Sequence, residues 1–276
     1  MEKINDTAFL RGEQYKDDTN LKKRMGLHER FSTNPTGWHH WMTDQFDFPA
    51  VCQILEVGCG PGTLWSARGE SLPTSWQVTL SDFSSGMVAK AKRALAEQHK
   101  APSYRFAVSD AQSLPFHTAS FDVLIANHML YHVPDRSLAL AEFRRVLRPG
   151  GRLFAATNGK NTMHELHEWI VLAANLTQPD LVSELRAVTL SFNLENGREQ
   201  LEQQFSSVEL VQYPDSLEVT QAEPLIQYVQ SMMSYNQTII QNLVGKLREL
   251  WEAEIQTHGA VHISKDGGLF QARSDD

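Results

Sequence analysis

Two groups of residues in this 276-residue chain have the types and spacing to do chemistry. The first is Glu56-Val57-Gly58-Cys59-Gly60-Pro61-Gly62, followed twenty residues after Gly62 by Asp82. Glycines after a strand let backbone approach a nucleotide, and a carboxylate at the end of the next strand can accept hydrogen bonds from both ribose hydroxyls. Together they point to an adenosine-type site, whereas the loop alone reads equally as a strand-to-helix turn. The glycines fall as G-x-G-x-G rather than G-x-G-x-x-G, and no Gly-Lys-Ser/Thr follows, so neither a pyrophosphate nor a triphosphate is expected. The second group is Asn127-His128-Met129-Leu130-Tyr131-His132-Val133-Pro134-Asp135. A histidine, with its ordinary pKa of about 6.5, can take the proton of a hydroxyl or a protonated amine. His128 or His132 could serve in that way with Tyr131 orienting, and each histidine reads equally as a tie within its own loop.

Positioning these groups requires a parallel sheet, because the carboxyl edge of such a sheet is where open α/β folds hold their ligands. Short apolar runs alternate with helical patterns from Val51 to Asn158. Strands are predicted at Gln53–Val57, Gln77–Ser81, Tyr104–Val108, Phe121–Ala126 and Arg152–Thr157. Ser84 is placed to cap one helix and Asp135 another, the latter stopping at Arg148-Pro149-Gly150-Gly151. Residues 161–204 and 218–257 read as helices, while Val208–Tyr213 and Ala260–Ala272, broken by Lys265-Asp266-Gly267-Gly268, read as late strands or a hairpin. Residues 1–48 are rich in aromatics and histidine. The expected fold is α/β, a Rossmann-like doubly wound seven-stranded sheet. Three parts are expected: an N-terminal helical lid at 1–48, an α/β core at 49–160, and closing strands with inserted cap helices at 161–276.

Five stretches extend the glycine loop into a pattern. They are Ile54–Gly62, Ser81-Asp82-Phe83-Ser84-Ser85-Gly86-Met87, Ser109-Asp110-Ala111-Gln112-Ser113-Leu114-Pro115-Phe116, Ser120-Phe121-Asp122-Val123 and Leu147-Arg148-Pro149-Gly150-Gly151-Arg152-Leu153. In this order they resemble the class I S-adenosylmethionine-dependent methyltransferases, in the small-molecule branch that includes ubiquinone-biosynthesis-type enzymes. The resemblance covers about residues 51 to 158. It implies S-adenosyl-L-methionine as cofactor, its methionine and sulfonium part lying along Gly58, Cys59 and Gly60. Glu56 would anchor the loop and reach the cofactor amino group, and Asp82 would hold the ribose. Phe83 and Met87 would flank the adenine, Asp110 and the Ala111 N–H would read its edge, and Asn127 would line the methyl-donor side. Glu56 and Asp110 read also as loop ties, and Met87 and Phe83 as packing. The implied activity is methyl transfer to O, N or C of a small acceptor by in-line displacement. The alternatives are a non-catalytic cofactor-binding or regulatory protein, and group transfer from a modified S-adenosylmethionine.

The remaining histidines are weaker candidates. Tyr15 and His28, in the expected lid, are cofactor or substrate contacts on this reading, and His39 and His40 either line an acceptor pocket or pack the lead-in on the core. His164 and His167 could chelate a metal on one helix face, but they do not form H-E-x-x-H and lack a third ligand, so no metal is expected. Lys plus Arg total 25 against 33 for Asp plus Glu, a net charge of -8 that disfavours nucleic acid. The residues after Asn127 also lack the Pro-Pro-Tyr/Phe element of nucleic-acid amino-methylating enzymes. A small-molecule acceptor is expected instead. The longest apolar run is Trp169–Ala174, far short of the ~20 residues a spanning helix needs, and no apolar signal opens the chain, so a cytoplasmic protein without membrane contact is expected. Cys52 and Cys59 sit too close in chain for a disulfide framework. The acceptor and the oligomeric state have no sequence signature.

Overall fold

The computed structural model describes residues 19–68, 71–96, 98, 101–185, 190–232 and 237–275. Among them, seven strands form one sheet in the order β3-β2-β1-β4-β5-β7-β6. They are β1 (Gln53–Val57), β2 (Gln77–Asp82), β3 (Ser103–Val108), β4 (Phe121–Asn127), β5 (Leu147–Asn158), β6 (Ser206–Val219) and β7 (Val261–Arg273). The first five are mutually parallel, and β7 is antiparallel to both β5 and β6. The expected α/β sheet is present.

The central strands are buried almost continuously because both faces are covered, alternate residues packing on opposite sides. Leu55, Val57, Leu124, Ala126, Leu153 and Ala155 pack on one side against Leu140 and Phe143 of α5 (Arg136–Val146). Ile54, Val78, Leu80, Val123, Ile125 and Phe154 pack on the other. There they meet Trp65 of α3 (Thr63–Arg68) and Ala91 and Leu95 of α4 (Ser85–Leu95). The two expected caps are made: Ser84 Oγ accepts from Met87 N at 3.4 Å, and Asp135 Oδ1 accepts from Leu138 N at 3.1 Å.

The late strands differ from expectation. β5 starts at Leu147 rather than Arg152 because the Pro149-Gly150-Gly151 turn stays paired: Gly150 N donates to Ser274 O at 3.1 Å, and Ser274 N to Gly151 O at 2.8 Å. Lys265-Asp266-Gly267-Gly268 does not break β7 but runs straight against Asp215, Pro214, Tyr213 and Gln212 of β6. Gly268 serves close approach instead, since a Cβ there would lie 3.0 Å from Leu210 Cδ1 and 3.1 Å from the Val211 carbonyl. β5 borders only Gly267–Arg273, so 261–266 and their β6 partners 214–219 continue beyond it as a two-stranded ribbon.

That ribbon seeds a second core. Leu217, Val219, Val261 and Ile263 pack with Leu27 and Phe31 of α1 (Thr19–Phe31) and Leu166 and Ile170 of α6 (His164–Thr177). Short α7 (Gly197–Leu201) precedes β6, and α8 (Ala222–Ser231) and α9 (Gln237–His258) lie between β6 and β7. From these, Leu225 and Val229 and then Leu243, Leu247 and Trp251 complete the cluster. A lone hairpin is marginal in water, so ribbon and helices stabilise each other. The remaining helix, α2 (Trp38–Asp44), sits between α1 and β1 in the chain and buries Met42 against the sheet side of Trp65.

Candidate active site

Gly58, Gly60 and Gly62 have φ of 72°, 54° and 80°, a left-handed region costly to other residues. Each meets something different. A Cβ on Gly58 would fall 2.7 Å from Met129 Cβ, and one on Gly62 3.1 Å from Ala91 Cβ. A Cβ on Gly60 would meet nothing within 4 Å, so its side of the loop is open. Asp82, at the carboxyl end of β2, points into this loop. Its Oδ2 accepts from Gly60 N at 2.9 Å and its Oδ1 from Ser84 N at 2.8 Å, leaving one acceptor direction on each oxygen. Burial raises its pKa, and the two N–H donors pull against that rise.

Glu56 lies beneath the loop, 2% exposed, its Oε2 accepting from Trp65 Nε1 at 2.6 Å. Burial pushes its pKa up to about 8; the Trp65 bond opposes the rise and the nearby Asp82 charge adds to it. The carboxyl is thus turned to α3 rather than to the open side of the loop. Cys59 is buried, and desolvation raises its thiol well above the usual range, so it is no nucleophile.

The expected adenine contacts lie along the same edge. Phe83 is half-buried just after β2 and Met87, 1% exposed, is in the first turn of α4. Ala111 is buried in the turn after β3. Asp110 ties that turn, its Oδ1 accepting from Gln112 N at 2.9 Å. Tyr15 lies outside the described residues.

Beyond β4, Asn127 Oδ1 accepts from Trp38 Nε1 at 3.2 Å, so the lead-in is bonded to the strand end. His128 follows with φ 53°, its N–H donating to Ala156 O at 3.1 Å, and its ring lies 4.9 Å from that of Trp38. Burial, then the nearby His39, lowers its pKa to about 4, which leaves a neutral imidazole at pH 7. Tyr131 lies 6.5 Å from His128 between ring centroids and 4.5 Å from His132. The two readings of His39 and His40 separate: burial lowers His39 to about 4, while His40 is at the surface. Trp38, Trp41 and Tyr213 form one aromatic group, with Tyr213 centroids 5.2 Å and 5.0 Å from the two tryptophans.

Sequence reasoning missed Tyr213 and Asp215 of β6 and Lys265 of β7, which lie near this region. Asp215, whose side chain has 0% exposure, is bonded to Lys265 Nζ and accepts from Ser32 Oγ at 2.7 Å and Asn34 N at 3.0 Å. Its carboxyl is held below the usual range: burial alone would raise it, and the Lys265 and Ser32 hydrogen bonds outweigh that. The Glu165 carboxylate between His164 and His167 accepts from Ser264 N at 2.9 Å, tying α6 to β7. Among the described residues no group of three or more His, Cys, Asp or Glu is arranged to hold a metal.

Residues 55–155 match the family described as a methyltransferase domain. That segment is similar to a methyltransferase domain, as its relatives are. Its core is 35% identical over 115 residues to a ubiquinone/menaquinone biosynthesis C-methyltransferase of Desulfotalea psychrophila, covering 42% of this chain and 45% of that protein. It is 36% identical over 117 residues to a malonyl-[acyl-carrier protein] O-methyltransferase of Erwinia billingiae, covering 41% and 42%. The chain therefore spans less than half the length of either relative. The YcgJ protein of Bacillus subtilis is similar in fold at a TM-score of 0.58 and 16% identity, over 86% of this chain and 98% of that one. The methyltransferase core thus holds the glycine loop and Asp82, while the ribbon and its helices lie outside the family match. No helix among the described residues is long and apolar enough to cross a membrane.

Proposed function

We propose that this methyltransferase moves the methyl group of S-adenosylmethionine to a small acceptor lying between the end of β4 and the β6–β7 ribbon. One observation carries the reading: the open face of Gly60 stands directly beside Asp82, whose oxygens each retain an acceptor direction. S-adenosylmethionine supplies an electrophilic methyl group on a sulfonium. Asp82 accepts from the ribose hydroxyls, Phe83 and Met87 border the adenine, and the Ala111 N–H and Asp110 read its edge. Gly58, Cys59 and Gly60 border the methionine part, and Asn127 the donor side. Glu56 acts as an anchor of the loop through Trp65.

His128 is neutral, enclosed and next to the strand end, so it takes the acceptor's proton, with Tyr131 and His132 shaping the same turn. Alignment of an in-line displacement contributes up to ~7 to 11 kcal/mol by itself. The two relatives act at different atoms by their names, carbon and oxygen, so the atom methylated here depends on the ribbon side.

Calorimetric titration tests this, with S-adenosylmethionine and S-adenosylhomocysteine as ligands and NAD as control. Micromolar binding of the first two and none of NAD is expected. Asp82→Ala should weaken both about tenfold or more with an unchanged circular dichroism spectrum. No binding by the wild-type chain overturns the assignment.

A further inference from the structure

α1 carries two residues one turn apart, Arg24 and His28. Arg24 Nε and His28 Nδ1 are both enclosed and have no hydrogen-bond partner among the described residues. Enclosed polar nitrogens without a partner are uncommon in folded proteins and mark groups shaped for something else. The His28 ring stands edge-on to Tyr228 of α8 at 5.8 Å. The charges of Lys265, Asp215, His128 and Arg24 all reach it, and Asp215 is tied to Ser32, whose N–H donates to the His28 carbonyl at 3.1 Å. Lys265 acts on His28 and on His128, and its Nζ lies 5.5 Å from the Tyr213 ring centroid, that ring meeting Trp38, the neighbour of His128.

The charge of this neighbourhood decides what it takes. Arg24 and Lys265 are cations, and burial lowers His28 to about 3, so its ring is neutral. The facing carboxylate is Asp215, and it is engaged by Ser32, Asn34 and Lys265. One positive charge is therefore left over, in a chain whose net charge is -8. A neutral or cationic acceptor would gain nothing from that excess, whereas an oxyanion would satisfy the Arg24 N–H.

We propose that Arg24, His28 and Lys265 form a subsite for an anionic oxygen group, a carboxylate or phosphate, carried by the acceptor. Its location deepens the donor-site reading, on which it rests only for the identity of the reaction. Arg24 donates to the anion, His28 donates from one ring nitrogen, and Lys265 turns the acceptor's far end toward His128. The aromatic group of Trp38, Trp41 and Tyr213 flanks the body of the molecule.

Three probes test it on the full chain, with and without S-adenosylhomocysteine: inorganic phosphate, benzoate, and benzamide as the uncharged partner of benzoate. Tryptophan fluorescence reads binding. Phosphate or benzoate should bind in the millimolar range or better and benzamide at least tenfold more weakly. Arg24→Gln and His28→Gln should each weaken the anion at least tenfold and leave S-adenosylhomocysteine affinity unchanged. Equal binding of benzoate and benzamide, no anion binding, or anion binding indifferent to both variants overturns the subsite, even where S-adenosylhomocysteine binds normally. Anion binding that depends on Arg24, in a chain that does not bind S-adenosylhomocysteine, upholds the subsite and overturns the donor site instead. Two separate substitutions guard against one that merely unfolds α1.

Discussion

Gly58 and Gly60 share a backbone conformation and differ in what lies beside them, so alanine should separate stability from binding. At Gly58 it adds a left-handed alanine to a 2.7 Å overlap with Met129, costing about 3 kcal/mol in denaturant unfolding. At Gly60 only the conformation is penalised, about 1 kcal/mol, yet the methyl fills the open side and S-adenosylhomocysteine affinity should fall by far more than stability. Equal losses at both positions would remove the special role of Gly60. His128 also has a positive φ, which asparagine tolerates, so His128→Asn keeps the backbone while deleting the base. Turnover should drop about a hundredfold with donor affinity kept. Unchanged turnover would mean that its ring only packs on Trp38. The position of Asp82 at the end of β2, beside the glycine loop, was legible in the sequence from chain spacing. Arg24 and Lys265 were not, since one basic residue looks like another until burial strips it of water.

Among the elements, the β6–β7 ribbon carries the least expected consequence. Val208–Tyr213 was legible as a strand, but its continuation to Val219 passes through Pro214, Asp215 and Ser216, poor strand formers, and into residues 218–219 that read as helix. Pairing with β7 overrides that local preference. Likewise Gly267-Gly268 carries a breaker signature and is used for close packing. The central strands β1 and β4 were legible because they are buried on both faces and so largely apolar. Asp215 joins the ribbon to the segment after α1, where Thr33 N also donates to Ser216 O at 2.9 Å. Asp215→Ala would leave the Lys265 ammonium, 17% exposed, without its carboxylate, and would release residues 32–34. About 3 kcal/mol should be lost in chemical denaturation, with proteolysis near residue 33 rising. A loss under about 0.5 kcal/mol would show that the junction holds without it.

For the molecule as a whole, the buried titratable groups set how stability follows pH. Burial is the first cause that lowers His28, His39, His128 and His167. The first three fall to about 3, 4 and 4, so the unfolded chain takes up protons near pH 6.5 that the folded one refuses. Stability from these groups is full above pH 6.5 and is lost on acidification toward 4. Glu56, raised to about 8, and Asp82, also raised, act oppositely and favour the folded state as pH falls. The three histidines lowered to about 3, 4 and 4 outweigh the raised carboxyls Glu56, Asp82 and Asp266, so the melting temperature should decline from pH 7 to pH 5, and His128→Asn should reduce the slope. A flat or rising profile would show that these rings are hydrated.

The sheet order has a temporal consequence as well. β7 follows β6 in the chain, yet it lies between β5 and β6. A nascent chain leaving the ribosome can assemble β1 to β5, but β6 has no neighbour to join until residues 261–273 emerge. The parallel half of the sheet, with the glycine loop, is therefore able to mature first, and β6 joins it only after residues 261–273 have emerged.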